Sequence, residues 1–599
     1  MSNKKRMKSD NSFIARQTGK LSKKLCDHTD SSAVMQSIGS IGEKSTDSDS
    51  LAVSGLFCRK SSGIGQPSAL KRFFAVSVEQ SVICSWYRRF VSSLLLSPVN
   101  TVAVFFLAFG LYSGIALGFK KLYMTSGGAG MSDFFIPALT VLISVVLMFS
   151  RGSIASKLAG SRFFSFFLNN IFMFDSINEY ESYEEKNDEK AAAGKKKIVR
   201  SAKTSLLIPA FFGIAAGIAS LFMSFESVLI AIALLIGFAA VMYSPESGLS
   251  LILLVFPFAP EKLLMFCASV MIFSYIMKVL RGKRNISFGY ADIMIMLAGL
   301  CFLIFCGSGY AFIALAVYAV GVNTVRTKQI LHRCINAVSF GFIIAASFGL
   351  AELFIETIGA YIDKDRIVIH TVESFFENGS GFVIYAISAF PYFVSRARLY
   401  GSSRIPATFA LLLLALVCYI DGIAASLPIL IISLILYFVI STGRVFEGII
   451  AIAASVFIMI NFVPLDNTVG VLTERNIGVL LKNIGSAGEL LVGKRGAADA
   501  IGNISGFSSV ALSGGAVMLL IIAAALFILF CSVRYKIHEA PDKTPYALCV
   551  VPVIVIAAFS FRFNYLDSGL MIIASFSCAM ARIGNCGKEN GAADKYYNY

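Results

Sequence analysis

PATFALLLLALVCYID (406–421) and IAASLPILIISLILYFVIS (423–441) are two apolar runs placed back to back, with Gly422 alone between them. A helix needs about 20 residues, within a range of about 17 to 25, to cross the hydrocarbon core of a bilayer, and each run is close to that length. Arg404 stands before the first run and Arg444 after the second, and the turn between them carries no cation. Positive residues are retained on the cytoplasmic side of short loops. The stretch therefore reads as a chain that crosses a membrane and returns.

The pattern extends in both directions. Before the pair, apolar segments recur at 90–118, 134–150, 204–223, 227–243, 247–258, 262–279, 288–305, 308–323, 334–358 and 381–395. After it they recur at 446–463, 509–531, 545–563 and 568–583. The segment 247–258 is short and breaks at Pro257 and Pro260, as a broken or re-entrant hairpin does. Composition agrees: of 599 residues, 56% are hydrophobic and 15% charged, against about 25% charged in a soluble protein, and the mean hydropathy is +0.75. The expected fold is all-α, a polytopic integral membrane helix bundle of about 14–16 transmembrane segments.

A net charge of +16 raises the question of nucleic acid, but the basic residues lie in the N-terminal segment and in alternate short loops, which is a signature of topology. Those loops carry Lys195, Lys196, Lys197 and Arg200; Arg281, Lys283 and Arg284; Arg326, Lys328 and Arg333; Arg396, Arg398 and Arg404; Arg444; and Arg534, Lys536 and Lys543. No nucleic-acid partner is expected. Placing these loops in the cytoplasm puts both termini there and turns the two longest loops, 359–380 and 464–508, to the exterior. The sequence organises into a polar, basic cytoplasmic tail at 1–85 and a two-helix membrane unit at 86–150, entered through the interfacial anchor Trp86, Tyr87, Arg88 and Arg89. A charged cytoplasmic linker at 151–203, the main bundle at 204–583 and a cytoplasmic tail at 584–599 follow. The twelve cysteines form no C-x-x-C pair, so neither a metal cluster nor a disulfide framework is expected.

No phosphate-binding loop, H-E-x-x-H zinc site or G-x-S-x-G elbow occurs, which removes support for ATP-driven transport and for metal or serine hydrolysis. Ionisable groups at mid-membrane mark many pumps; here Asp292, Glu352, Asp421 and Arg562 lie toward segment ends. Candidate chemistry falls to the exterior loops. In 464–508, Arg475, Lys482, Lys494 and Arg495 stand against Asp466, Glu474, Glu489 and Asp499. A cation there, Arg above all with its planar fork, can grip the pyrophosphate of a lipid-linked substrate. In 359–380, Arg366, His370 and Glu377 accompany Asp363, Lys364, Asp365 and Glu373. His370, the one histidine placed outside, has the chemistry of a general base for a sugar hydroxyl. Glu352 and Glu356, four residues apart, share one helix face. The plainer reading of each of these residues is a solvated loop charge.

The order of these features resembles the O-antigen ligase and polysaccharide polymerase family, membrane glycosyltransferases that use polyprenyl-pyrophosphate-linked glycans. Four stretches carry the resemblance, over roughly residues 204–583. The run Pro245 to Pro260 is similar to the family's early helix pair. Arg366, followed by Phe375-Phe376-Glu377-Asn378-Gly379-Ser380 and a helix reaching Pro391, resembles its external Arg, Phe-x-Asn-Pro-Asn element, helix and proline. The runs 406–421 and 423–441 resemble its tight helix pair. The loop Arg475 to Gly506 with the helix 509–531 resembles its large external loop and closing helix. The chain departs from the pattern at Ile420-Asp421-Gly422, where the family has Ser-Arg-Gly, and at Gly506-Phe507-Ser508-Ser509, where it has a histidine.

The resemblance implies inverting glycosyl transfer at the outer face of a bacterial plasma membrane, without nucleotide, metal or other cofactor. In that scheme Arg366, Arg475 and Arg495, with Lys482 and Lys494 near them, bind the pyrophosphate and stabilise the charge building on it, while His370 or Glu377 takes the acceptor proton. Expected partners are membrane lipid, the polyprenyl-pyrophosphate-linked glycan and polysaccharide-assembly proteins. Two other readings stay open: a transporter of a lipid-linked glycan or small solute, built on the Pro257 and Pro260 pair, and a non-catalytic membrane component of a polysaccharide-assembly system.

Overall fold

A computed structural model of the chain describes residues 98–123, 134–150, 207–222, 244–280, 288–325, 328–362, 379–398, 404–420, 426–442, 487–494, 506–539, 543–560 and 569–581, with a few isolated positions between them. Every regular element among these residues is an α-helix, as the sequence predicts. The chain divides into two compact units, Ala69–Ser247 and Gly248–Tyr599 together with Met1–Ser68.

In the first unit, α1 (Val99–Tyr123), α2 (Phe135–Met148) and α3 (Leu207–Ala219) are apolar over most of their length. Glycine sets their spacing. A Cβ on Gly213 would collide with the Phe105 carbonyl and lie 2.9 Å from Ala108 Cβ, and one on Gly217 would lie 2.5 Å from Tyr112 Cβ. This G-x-x-x-G lets α3 approach the backbone of α1, the way membrane helices gain contact without a hydrophobic driving force. Gly110 does the same for α2, where a Cβ would stand 2.8 Å from Val141 Cγ2. Lys120 Nζ donates to the Ser220 carbonyl just past α3 at 2.8 Å, satisfying an acceptor that a helix end leaves open.

The second unit takes up the chain within α4 (Pro245–Val255) and continues through α5 (Glu261–Leu280), α6 (Tyr290–Cys306), α7 (Gly309–Thr324) and α8 (Lys328–Ile362). It goes on with α9 (Gly379–Ala397), α10 (Arg404–Ile420), α11 (Ser426–Thr442), α12 (Ala487–Val492), α13 (Gly506–Glu539), α14 (Thr544–Ser560) and α15 (Leu570–Ala579). α4 has 11 residues, a rise of about 16 Å, roughly half the hydrocarbon thickness. The chain then turns over Phe256–Pro260 into α5, so the proline pair falls in the turn between two helices. α4 lies beside α8 in the same direction: Ser250 Oγ is 3.9 Å from Cys334 Sγ, and a Cβ on Gly341 would stand 2.5 Å from the Leu254 carbonyl.

α9 is the axis of this unit. It packs against α8, α10, α11, α14 and α15, and every residue from Phe382 to Ser395 is buried. A helix apolar all round has no solvent face and ends in the middle. Aromatic rings close the space about it: Phe256 meets Tyr385 at 5.0 Å, and Phe342 meets Phe393 at 4.9 Å and Phe382 at 6.0 Å between centroids.

Among the described residues, four helices are long and apolar enough to cross a membrane, Val99–Lys121, Glu261–Leu280, Ile330–Phe354 and Gly506–Ile537, and shorter apolar helices accompany them. Large apolar side chains also point outward, among them Phe149 at 83% exposed, Phe222 at 86% and Ile405 at 76%. Water does not tolerate so much exposed apolar surface on a soluble monomer; lipid does. The protein is an all-α membrane protein.

Candidate functional site

The first of the two expected external loops joins α8 to α9 in the second unit. α8 runs on to Ile362 and α9 begins at Gly379, so the connection is trimmed to 363–378 from the expected 359–380. It carries Arg366, His370 and Glu377, which lie outside the described residues, as do Arg475, Lys482 and Arg495 in the second loop. Lys494 is described: its side chain is exposed, and its backbone N–H donates to the Leu512 carbonyl at 2.8 Å. A loop charge in solvent is what the plainer reading expected of it, and the same exposure leaves the ammonium available to an anion.

The second loop has internal structure. α12 sits within the expected stretch 464–508 and packs on α13, and α13 already begins at Gly506. α13 is not continuous: Gly515, at φ 63° and ψ −166°, interrupts it. Its first half packs on α6, where Val510 and Met518 meet Cys301, Phe302, Phe305 and Cys306. Ser508, Ser509 and Ser513 are buried in that half, and the Ser509 hydroxyl has no hydrogen-bond partner, an uncommon state for a buried polar group.

Ionisable residues at segment ends take different roles. Asp292, 5% exposed, accepts from the Gly289 backbone N–H at 2.7 Å and from Tyr318 O–H at 2.8 Å. It caps α6 and ties it to α7, a structural job. Glu352 on α8 is exposed. Glu261 stands at the start of α5 against Gly309, where a Cβ on the glycine would collide with its carboxylate; a negative group is favoured beside the N-terminus of α7. Asp421 and Arg562 lie outside the described residues.

The opposite end of the bundle holds polar contacts that periodicity does not reveal. Tyr392 and Ser577 share a hydrogen bond of 2.7 Å between α9 and α15, and Lys536 Nζ, 8% exposed, donates to the Ala581 carbonyl at 3.4 Å. Arg398 lies over the Phe438 ring at 4.4 Å and donates to Ser441 Oγ at 3.2 Å, pinning the end of α9 to α11. Arg398 and Lys536 read in the sequence as loop cations, and Tyr392 and Ser577 as polar residues scattered through apolar runs, with nothing to mark their partners. Among the described residues no group of three or more His, Cys, Asp or Glu side chains is placed to hold a metal ion. Comparison with family models, with characterised proteins and with solved structures finds no match to the chain.

Proposed function

We propose that the protein transfers or polymerises polyprenyl-pyrophosphate-linked glycans at the outer face of a bacterial plasma membrane, with both termini in the cytoplasm. The observation that carries this reading is the sealed core about α9. Among the described residues α9 is buried on every side and packed with aromatic rings, which favours chemistry at its N-terminal end over passage through the middle. The loop bearing Arg366, His370 and Glu377 leads into that end. The loop bearing Arg475, Lys482, Lys494 and Arg495 leads into α13.

In this scheme the lipid-linked donor arrives sideways from the bilayer. Arg366, Arg475 and Arg495, with Lys482 and Lys494, bind the pyrophosphate and stabilise it as the anomeric C–O bond breaks. His370 or Glu377 accepts the proton of the attacking sugar hydroxyl. The test is the chain length and lipid attachment of surface glycans in cells lacking the protein, carrying it, or carrying Arg475→Ala. Loss of transferred or long glycan in both the deletion and the variant, at normal protein level, is the expected result. Normal glycans in the deletion remove the reading.

The break in α13 favours a second reading, a transporter of a lipid-linked glycan or small solute, since discontinuous membrane helices build the binding sites of many transporters. Solute accumulation in reconstituted vesicles without change in glycan length would select it.

A further inference from the structure

We propose that Gly493 and Gly515 form a backbone latch that fixes the end of α12 and Lys494 onto α13, which makes both glycines positioning residues for the outer-face transfer reaction. The purpose of the latch rests on that reading; its existence does not. Gly515 has φ 63° and ψ −166°, a region essentially closed to residues with a side chain. Gly493 has φ 75° and ends α12, its N–H donating to the Glu489 carbonyl at 2.8 Å.

The two glycines meet backbone to backbone. A Cβ on Gly493 would lie 2.5 Å from the Ser513 carbonyl carbon and 2.6 Å from the nitrogens of Gly514 and Gly515. A Cβ on Gly515 would collide with the Leu491 carbonyl oxygen and lie 2.6 Å from Gly493 N. These obstacles are main-chain atoms, which cannot rotate aside as a side chain can. One residue on, the Lys494 N–H donates to the Leu512 carbonyl at 2.8 Å. An interrupted helix frees carbonyls just before the break, and apolar surroundings require that they find a donor; the loop supplies one. The interruption in α13 and the turn after α12 thus answer each other: each needs a glycine, and each fills the gap the other leaves. The turn at Gly493 and Lys494 is thus set by main-chain contacts with α13.

Hydrogen exchange measured by mass spectrometry on the full chain in detergent tests this, with wild type, Gly515→Ala and Gly493→Ala compared, and surface glycans read in cells carrying the same variants. Amides in 487–494 are expected to exchange roughly tenfold faster in both variants, while those of Phe382–Ser395 in α9 keep their rates. Glycan assembly is expected to fall at unchanged protein level. Unchanged exchange in 487–494 in both variants overturns the latch. Faster exchange there with wild-type glycan overturns its positioning role. Should Gly515→Ala also speed exchange in α9, the fold has loosened, and Gly493→Ala, whose methyl group is carried by the loop, decides alone. Unchanged glycans in cells lacking the whole protein count against the glycosyltransferase reading and leave the exchange result standing.

Discussion

Ser577 holds two partners at once: its hydroxyl donates to the Ile573 carbonyl at 2.7 Å and meets Tyr392 O–H at 2.7 Å. Removing either partner therefore has unequal effects. Tyr392→Phe leaves Ser577 bonded to its own helix and is expected to cost about 0.5–1.5 kcal/mol, whereas Ser577→Ala strands a fully buried phenol and is expected to cost about 1–3 kcal/mol. Thermal unfolding of the two variants in detergent checks the order; equal losses would show that the hydroxyl pair is not what holds Tyr392. Asp292 yields a related expectation. Tyr318→Phe removes a donor to this carboxylate and should destabilise by about 1–3 kcal/mol, read by the same melt, with glycan assembly reduced no further than protein level. The sequence placed Asp292 near a helix end and stopped there, because whether a carboxylate caps a helix or lines a site depends on a tyrosine 26 residues away. Tyr392 and Ser577, 185 residues apart, could not be paired from the sequence: each is one of several hydroxyl-bearing residues in its apolar run.

Among the described residues, helix identity was legible where a run was long and apolar, and 381–395 anticipated α9 closely; the runs 227–243 and 446–463 lie largely or wholly outside those residues. Its central place was not. Hydropathy reports that a segment avoids water, yet lipid and protein interior are equally dry, so a lipid-facing helix and a fully enclosed one have similar composition. The short α12 and the interruption at Gly515 escaped for another reason: they arise from main-chain contacts between separate stretches, and glycine in an apolar run is common in membrane helices. Docking of α3 on α1 is testable at this scale. Gly213→Val places a branched side chain where even a methyl group would strike the Phe105 carbonyl, and should cost about 1–3 kcal/mol through overpacking. Faster hydrogen exchange confined to 207–219 would register the loss; unchanged rates would mean that α3 is held by something other than this approach.

For the whole molecule, composition and loop charge carried most of what the sequence could say, since a bilayer restricts a chain to few solutions. The membrane character follows from those features, and sidedness is open to direct measurement. Lys494 and Arg404 are both exposed and belong to loops of opposite parity. Lys494→Cys should react with a membrane-impermeant maleimide in intact cells, and Arg404→Cys only after permeabilisation, against the wild-type chain whose described cysteines are buried or half-buried. The reverse pattern would invert the topology and move the candidate loops to the cytoplasm. The enclosure of α9 also constrains how the protein is made. Two of its neighbours, α14 and α15, follow much later in the sequence, and a ribosome adding about 5–20 residues per second needs on the order of ten seconds to pass from α9 to them. During that interval the future axis of the bundle has no partners on one flank, so the nascent protein depends on an insertion chaperone or on lipid to occupy the space, and a chain truncated before α14 should be recognised by membrane proteases as unfinished.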